Sequence, residues 1–415
     1  MTTRAVLREP ALLALLGREA VSLAGSQMTW VALPWFVLTT TGSATKMAFV
    51  VGVEAAAAGL VGFAAGNLAG RLGPRQTMLI ADACRAPLMA AIPALHFLGL
   101  LSFPLLLVLV FVVGAFATPS FASKAALVPA IVGEEEGPVG EANALLQIAN
   151  RVSFVLGPPL AGVLIGLLGA TTVLLVDAAT FAAGFLLIAL FVRVGGRIQD
   201  TDESRALSAG IRFLFRDRLL RPWSLAIIVG DVGWLAFFVA MPFLVLTRFG
   251  EQPEILGWIL GGFGVGAVVG NLVIFRIVRG IDQLLVGSVG EVFMIAPIWL
   301  FLADVQPGFL VTSMVAAGLA NGVVNAPIWT IFTLRTPPAL RTKAWAAIVA
   351  TTSLLGPLVL LGTGPALDSF GLTGPLLTIF AVQTAAALLF TTAGLRERLR
   401  SATLDHPQGG LTPLR

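Results

Sequence analysis

The sequence predicts an all-α membrane protein: twelve transmembrane helices in two pseudo-symmetric six-helix bundles. Three observations lead there. The first is composition. Of the 415 residues, 57% are hydrophobic and only 12% charged, with a mean hydropathy of +0.94. Soluble domains carry about 25% charged residues, and a soluble fold of this length could not hide so much apolar surface. The second is segmentation. Apolar runs of about 20 residues, enough for an α-helix to cross ~30 Å of hydrocarbon, alternate with short polar breaks. The ~10-residue alternation of barrel strands is absent. The third is a repeat: "VALPWFVLTTTG" (31–42) and "VAMPFLVLTRFG" (239–250) agree at seven of twelve positions.

The spans are predicted at 11–40, 46–70, 76–99, 103–131, 141–168 and 171–194, then at 222–248, 255–278, 283–303, 308–334, 343–367 and 372–395. The first follows "MTTRAVLREP". Arg18 and Glu19 interrupt its apolar run and no small-residue cleavage site follows, so a retained span is expected rather than a signal peptide. Residues 195–221 are the longest polar break. Within it, "RALSAGIRFLFRDRLL" places Leu207, Ile211, Leu214 and Phe215 at helical spacing, with Arg212, Arg216 and Arg218 elsewhere on the turn. That pattern reads either as a basic helix lying at the membrane surface or as a solvated linker helix. The expected domains are an N-terminal bundle (1–194), this linker (195–221), a C-terminal bundle (222–396) and a tail (397–415).

The repeat runs through both bundles. Pro34 and Pro242 differ by 208 positions, as do Pro119 and Pro327 in spans four and ten, and Pro129 and Pro337, both read into the same two spans. "VGFAAGNL" (61–68) returns as "VGAVVGNL" (265–272), and "LGPPLAG" (156–162) resembles "LGPLVLLG" (355–362). Halves of equal polarity are parallel repeats about an axis along the membrane normal, and a substrate site then belongs between them near the midplane. With both termini inside, all of the 26 Lys and Arg residues except Lys46 and Arg248 fall in inner loops, tails or span ends. Cytoplasmic termini are therefore expected. The same distribution accounts for the net charge of +4 without a nucleic-acid partner. A single cysteine, Cys84, excludes an intramolecular disulfide and reads as a small core residue.

Two stretches carry a family resemblance. "SLAGSQMTWVALPWFVLTTTGSA" and "ALVPAIVGEEEGPVGEANALLQIANRVSFVLGPPLAG" resemble the first span and the fourth-to-fifth span region of the multidrug and macrolide-efflux branch of the major facilitator superfamily, a branch that includes siderophore exporters. The resemblance covers nearly the whole chain. Gly157, Pro158, Pro159 and Gly162 resemble the antiporter motif of the fifth span, where small residues let helices approach and proline bends them. Between spans two and three the family pattern is Gly-x-x-x-Asp-Arg-x-Gly-Arg-Arg/Lys. Gly66, Arg71, Gly73 and Arg75 match it, but Gly70 replaces the aspartate and Pro74 a basic residue. In the family that aspartate helps latch the cytoplasmic gate. Asp82 and Arg85, one turn apart, are candidates to partner Arg71 or Arg75 in its place, or a plain ion pair.

The resemblance implies a secondary active transporter in the bacterial cytoplasmic (inner) membrane, working by alternating access. Proton-coupled efflux of amphipathic drugs or metabolites is expected, with a small amphipathic organic substrate and the lipid bilayer as partners, a monomeric state, and no cofactor beyond the proton gradient. A lysophospholipid or siderophore transporter, nutrient uptake, and a non-transporting receptor-like member are the alternatives.

Charge inside hydrocarbon costs at least ~2.5 kcal/mol per residue on insertion scales. Glu19, Glu54, Arg151, Asp177, Asp231 and Glu291 therefore need roles. Shifted by the repeat, Asp231 falls one helical turn from Glu19 on nearly the same face. In the superfamily, spans one, four, seven and ten line the central cavity, so the resemblance puts one carboxylate from each half there. Both are proton-coupling candidates. The alternatives are pairing of Glu19 with Arg18 or an inner-loop arginine, and local capping or pairing of Asp231. Glu54, alone among the small residues of "VGVEAAAAGLVGF", is a third coupling candidate, with Arg151 as a conceivable partner. Asp177 and Glu291 read as structural hydrogen-bonding groups.

Asn143, Gln147, Asn150 and Arg151 fall within roughly 100° on one face of span five. Asn321, Asn325 and Trp329 share a face of span ten. With Gln27, Trp30 and Trp234 they are the candidate cavity residues, an aromatic and mostly apolar set suited to an amphipathic or cationic ligand. Lys124 and Arg335, near span ends, are expected to snorkel. Trp35, Trp223, Trp258, Trp299 and Trp345 are expected as interfacial anchors. Enzyme chemistry finds no support: His96 and His406 belong to no HExxH or His-carboxylate cluster, and neither a GxSxG elbow nor a P-loop is present.

Overall fold

Helices account for nearly all of the computed structural model, which describes residues 9–193, 203–277 and 280–405, with side chains for these except at 61–71, 203–209, 339, 342 and 401–405. Among the described residues no strand occurs, and eleven helices are long and apolar enough to cross a membrane. The 29-residue helix Ala44–Leu72 stands where the second span is predicted. The spans are one (Pro10–Thr41), two (Ala44–Leu72), three (Pro74–Phe97), four (Phe103–Val132), five (Glu136–Leu168) and six (Ala170–Phe191). Seven (Leu220–Phe249), eight (Pro253–Ile277), nine (Gln283–Leu302), ten (Pro307–Arg335), eleven (Arg341–Phe370) and twelve (Thr373–Asp405) follow.

Local chemistry sets the ends. Pro10, Pro74 and Pro307 occupy first-turn positions, where the missing N–H costs nothing. Gly42 closes span one in the left-handed region at φ 65°, donating its N–H to the Leu38 carbonyl at 2.8 Å. Asp282 starts span nine by accepting the Leu285 N–H at 3.0 Å, and that helix tightens to 3-10 geometry over Ala296–Leu302. Pro34 and Pro242 sit inside spans one and seven as the repeat predicts. One repeat pair parts company. Pro129 is inside span four, but Pro337 lies in the turn beyond span ten, because that helix ends at Arg335.

Packing divides the chain into two compact units. The first comprises Met1–Asp202, Leu235–Gly264 and Ser353–Leu376. It thus contains the predicted outer halves of spans seven, eight and eleven. Span one is its axis, packed against five and six, while three packs on six and two on four. Leu12, Leu15, Met78, Leu127 and Ile188 form a core at one end. Spans five and eight meet backbone to backbone. A Cβ at Gly162 would stand 2.7 Å from the Pro253 carbonyl oxygen, and one at Gly257 would stand 2.7 Å from that of Pro158. Asp368 of span eleven caps the start of span two, accepting from Ser43 Oγ at 2.8 Å, Ala44 N–H at 2.8 Å and Thr45 N–H at 2.9 Å.

The second unit comprises Glu203–Trp234, Val265–Thr352 and Leu377–Arg415. Trp223, Val324, Ile328 and Phe390 are its core. Trp223 stacks on Phe390 at 4.2 Å between centroids and donates its indole N–H to the Phe390 carbonyl at 3.1 Å. Trp223 and Trp35 are therefore core residues rather than interfacial anchors, whereas Trp258, Trp299 and Trp345 are exposed. Trp223 is buried because Phe390 of span twelve stacks on it.

The linker helix, Glu203–Arg216, docks Leu214 against Ala344, Ala347 and Ile348 at the start of span eleven. Asp217 then accepts the Leu219 and Leu220 N–H groups, each at 2.8 Å, and the Arg335 guanidinium at 2.9 Å. Burial pushes the Asp217 carboxyl up, but the Leu220 N–H, Arg335 and the Leu219 N–H outweigh that and hold it below the usual carboxylate range. Arg335 also reaches Glu397 at 2.7 Å, so it is a clamp rather than a snorkelling cation. Residues 195–202 and 406–415, with His406, lie outside the described residues.

Candidate functional site

In the first unit, span one carries an Arg18–Glu19 pair in a buried ion network. The Arg18 guanidinium donates in a fork to both Asp82 oxygens, at 3.0 and 2.6 Å, to Glu19 Oε2 at 3.0 Å and to Ser120 Oγ at 2.9 Å. Lys124 Nζ donates to the other Glu19 oxygen at 2.5 Å. Two cations and two carboxylates cancel, which is how such charges are tolerated away from water. The network ties spans one, three and four together. Glu19 thus takes the local pairing with Arg18 that the sequence left open, and Lys124 pairs with it instead of snorkelling.

Further along span one, Thr29 donates to Asp177 Oδ2 at 2.7 Å, and Thr180 donates to Oδ1 at 3.1 Å. A Cβ at Gly25 would stand 2.4 Å from Asp177 Oδ1 and 2.3 Å from Thr180 Oγ1, so only glycine leaves room for this carboxylate. Arg85 of span three lies with its guanidinium 4.0 Å from the Phe181 ring centroid. It is within electrostatic reach of Asp177 and Glu54, and its Nε has no hydrogen-bond partner among the described residues. The cation near Glu54 is therefore Arg85 of span three. Asp82 is engaged by Arg18, and Arg75 donates instead to the Val192 and Ala189 carbonyls at the end of span six. There it supplies a positive charge to a helix C-terminus. Gly73 starts span three at φ 82°. The side chain of Arg71 lies outside the described residues.

Four more predicted residues belong to this unit's packing. Gln27 abuts Gly157, where an added Cβ would stand 2.5 Å from the Gln27 Cβ. Pro158 touches span eight as above. Trp30 meets Phe238 edge-on at 5.3 Å, and Phe238 meets Phe263 at 6.0 Å. On span five, Asn143, Gln147 and Arg151 are exposed and Asn150 half-buried, beside a buried face of Ala142, Leu146, Ser153 and Gly157.

In the second unit, Asp231 is exposed and has no hydrogen-bond partner among the described residues. Its charged neighbour is another acid, Glu291 of span nine. No described cation accompanies this pair. Beside it, the buried Gln383 of span twelve enters the backbone ladder of span seven. With its amide turned to satisfy both groups, it donates to the Gly230 carbonyl at 3.3 Å and accepts from the Trp234 N–H at 3.0 Å. Gly233 gives it room. Asp231 and Trp234 thus flank a helix segment braced by a residue that sequence reasoning missed. A lone glutamine in an apolar run was the available signal.

The span-ten ladder forms as spaced. Asn325 Nδ2 donates to the Asn321 carbonyl and side-chain oxygens, both at 3.0 Å, and Trp329 Nε1 donates to Asn325 Oδ1 at 3.2 Å. Trp329 meets Trp345 edge-on at 4.3 Å, and with Phe332, Thr333 and Arg341 these rings line a cavity of about 240 Å³. Among the described residues no cluster of His, Cys, Asp and Glu could hold a metal ion.

Comparison with known proteins follows the same lines. A family model described as the Major Facilitator Superfamily matches residues 19–361. The multidrug efflux pump Tap of Mycobacterium tuberculosis (strain ATCC 25618 / H37Rv) is 26% identical over 97% of this chain and 98% of its own. Among solved structures, a mutant of the nucleoside transporter NupG superposes with a TM-score of 0.74 at 14% identity, over 93% of this chain and 99% of its own. A bacterial homolog of the human lysosomal transporter Spinster gives 0.72 at 15% identity, over 94% and 97%.

Proposed function

The chain belongs to the major facilitator superfamily, and we propose that it exports amphipathic organic compounds in exchange for protons, by alternating access across a bacterial inner membrane. Similarity to a multidrug efflux pump over 97% of the chain supports the efflux reading. The observation that carries the coupling is the acid pair Asp231 and Glu291, within electrostatic reach of each other and without a described counter-cation. Uncompensated acids in a membrane span are costly. Either a proton or a cationic group of the substrate supplies the missing charge, and displacement of one by the other is exchange.

Trp234 and the Asn321–Asn325–Trp329 ladder belong to the same unit and offer aromatic and amide surface suited to such a ligand. Glu54, paired electrostatically with Arg85, is the corresponding group of the first unit. Glu19, held between Arg18 and Lys124, is assigned to holding the helices together rather than to coupling. The protein works as a monomer, with cytoplasmic termini and no cofactor.

The test is transport of a fluorescent lipophilic cation into proteoliposomes under an imposed proton gradient. Asp231→Asn combined with Glu291→Gln should abolish gradient-driven accumulation while the purified protein still folds. Unchanged accumulation by the double variant would place coupling elsewhere.

A further inference from the structure

The linker helix has one face that no described residue of its unit covers. Ile211 and Phe215, one turn apart, are 39% and 52% exposed, whereas Leu214 is 3% exposed in its contact with span eleven. On a helix of 3.6 residues per turn, Gly210 and Leu214 lie about 100° to one side of that pair, and Arg212 and Arg216 about 100° to the other. The docked side is tight. A Cβ at Gly210 would stand 2.2 Å from the Lys343 carbonyl oxygen. The helix therefore cannot roll to bury Ile211 and Phe215 without losing that contact.

The charges are equally one-sided. Arg212, Arg216, Arg218 and Arg221 are exposed, and among the described residues none forms an ion pair. The acid in their midst, Asp217, is committed to Arg335. Three residues after Asp217, the apolar helix of span seven begins. The surface is thus an apolar pair beside a row of guanidinium groups that are unpaired among the described residues, next to the start of span seven.

We propose that this face is a binding surface for anionic phospholipid. Ile211 and Phe215 enter the acyl region, and the arginines pair with headgroup phosphates. The opposite face stays fixed to the start of span eleven, so lipid bound here braces that helix. An apolar edge flanked by cations matches the charge and depth profile of an acidic leaflet.

The test titrates the detergent-purified full chain with phosphatidylglycerol or phosphatidylcholine and follows thermal unfolding. Phosphatidylglycerol should stabilise at lower concentrations than phosphatidylcholine, and high salt should remove the difference. Arg212→Gln, Arg216→Gln and Arg218→Gln should each weaken the phosphatidylglycerol response by about fivefold, with Arg→Lys variants retaining most of it. Ile211→Ser with Phe215→Ser should weaken both lipids. If the triple glutamine variant keeps the full phosphatidylglycerol preference, the proposal fails. It also fails if glycerol phosphate competes as well as the lipid while the serine variant changes nothing, since the site then reads a soluble phosphate.

Discussion

Arg18 shows how far a single residue is set by its surroundings. It is 5% exposed and bonds to Asp82, Glu19 and Ser120, which come from elements 64, 1 and 102 residues away. Removing one member of a buried ion pair leaves the other uncompensated, at about 3–5 kcal/mol, whereas replacing both with apolar groups is often neutral. Arg18→Met should therefore destabilise the protein strongly in detergent unfolding. Arg18→Met with Asp82→Leu should recover most of the loss, since Glu19 keeps Lys124. Equal destabilisation by the single and double variants would mean that Arg18 acts through something other than Asp82. In the sequence, charge at an apolar position marked Glu19, Glu54 and Asp231 as unusual. It did not name their partners. Lys124 is 105 residues from Glu19, and no local pattern reports a contact at that range.

At the scale of elements, the spans were legible because membrane helices are written in length and hydropathy, two quantities that need no tertiary information. Helix-to-helix matching was only half legible. Gly157, Pro158 and Gly162 marked span five as a close-packing helix, but not its partner. The partner is span eight, through Gly257 and Gly261. Because Gly257 meets backbone, which cannot swing aside, Gly257→Leu should pry the two helices apart at a cost of about 1–3 kcal/mol. A cysteine at Ala161, in a Cys84→Ser background, should then react faster with a maleimide than in the parent. Unchanged reactivity would show that the contact is more yielding than the geometry implies. Pro337 marks a limit of repeat reasoning. It keeps its offset from Pro129, yet it falls outside the helix because span ten stops earlier than span four.

For the whole molecule, the distribution of Lys and Arg makes a prediction that packing does not. Apart from Lys46 and Arg248, the predicted topology puts the basic residues on the side of the termini. Since loop charge governs insertion, a C-terminal fluorescent-protein fusion should mature and a C-terminal alkaline-phosphatase fusion should stay inactive. A fusion after Gly99 should show the reverse. An active C-terminal phosphatase would invert the topology and the exporter reading with it.

The sequence by itself determined the class, the number and order of the spans, the internal repeat and the family, because each follows from hydropathy, period and short motifs along one chain. Tertiary structure alone decided which charges cancel. It enclosed Glu19 between Arg18 and Lys124 and set Asp177 on Thr29 and Thr180. It also left Asp231 and Glu291 together without a described cation. Whether an acid in a span is structural or available for a proton depends on the neighbours within a few ångströms. Those neighbours come from helices that the chain brings together only when it folds.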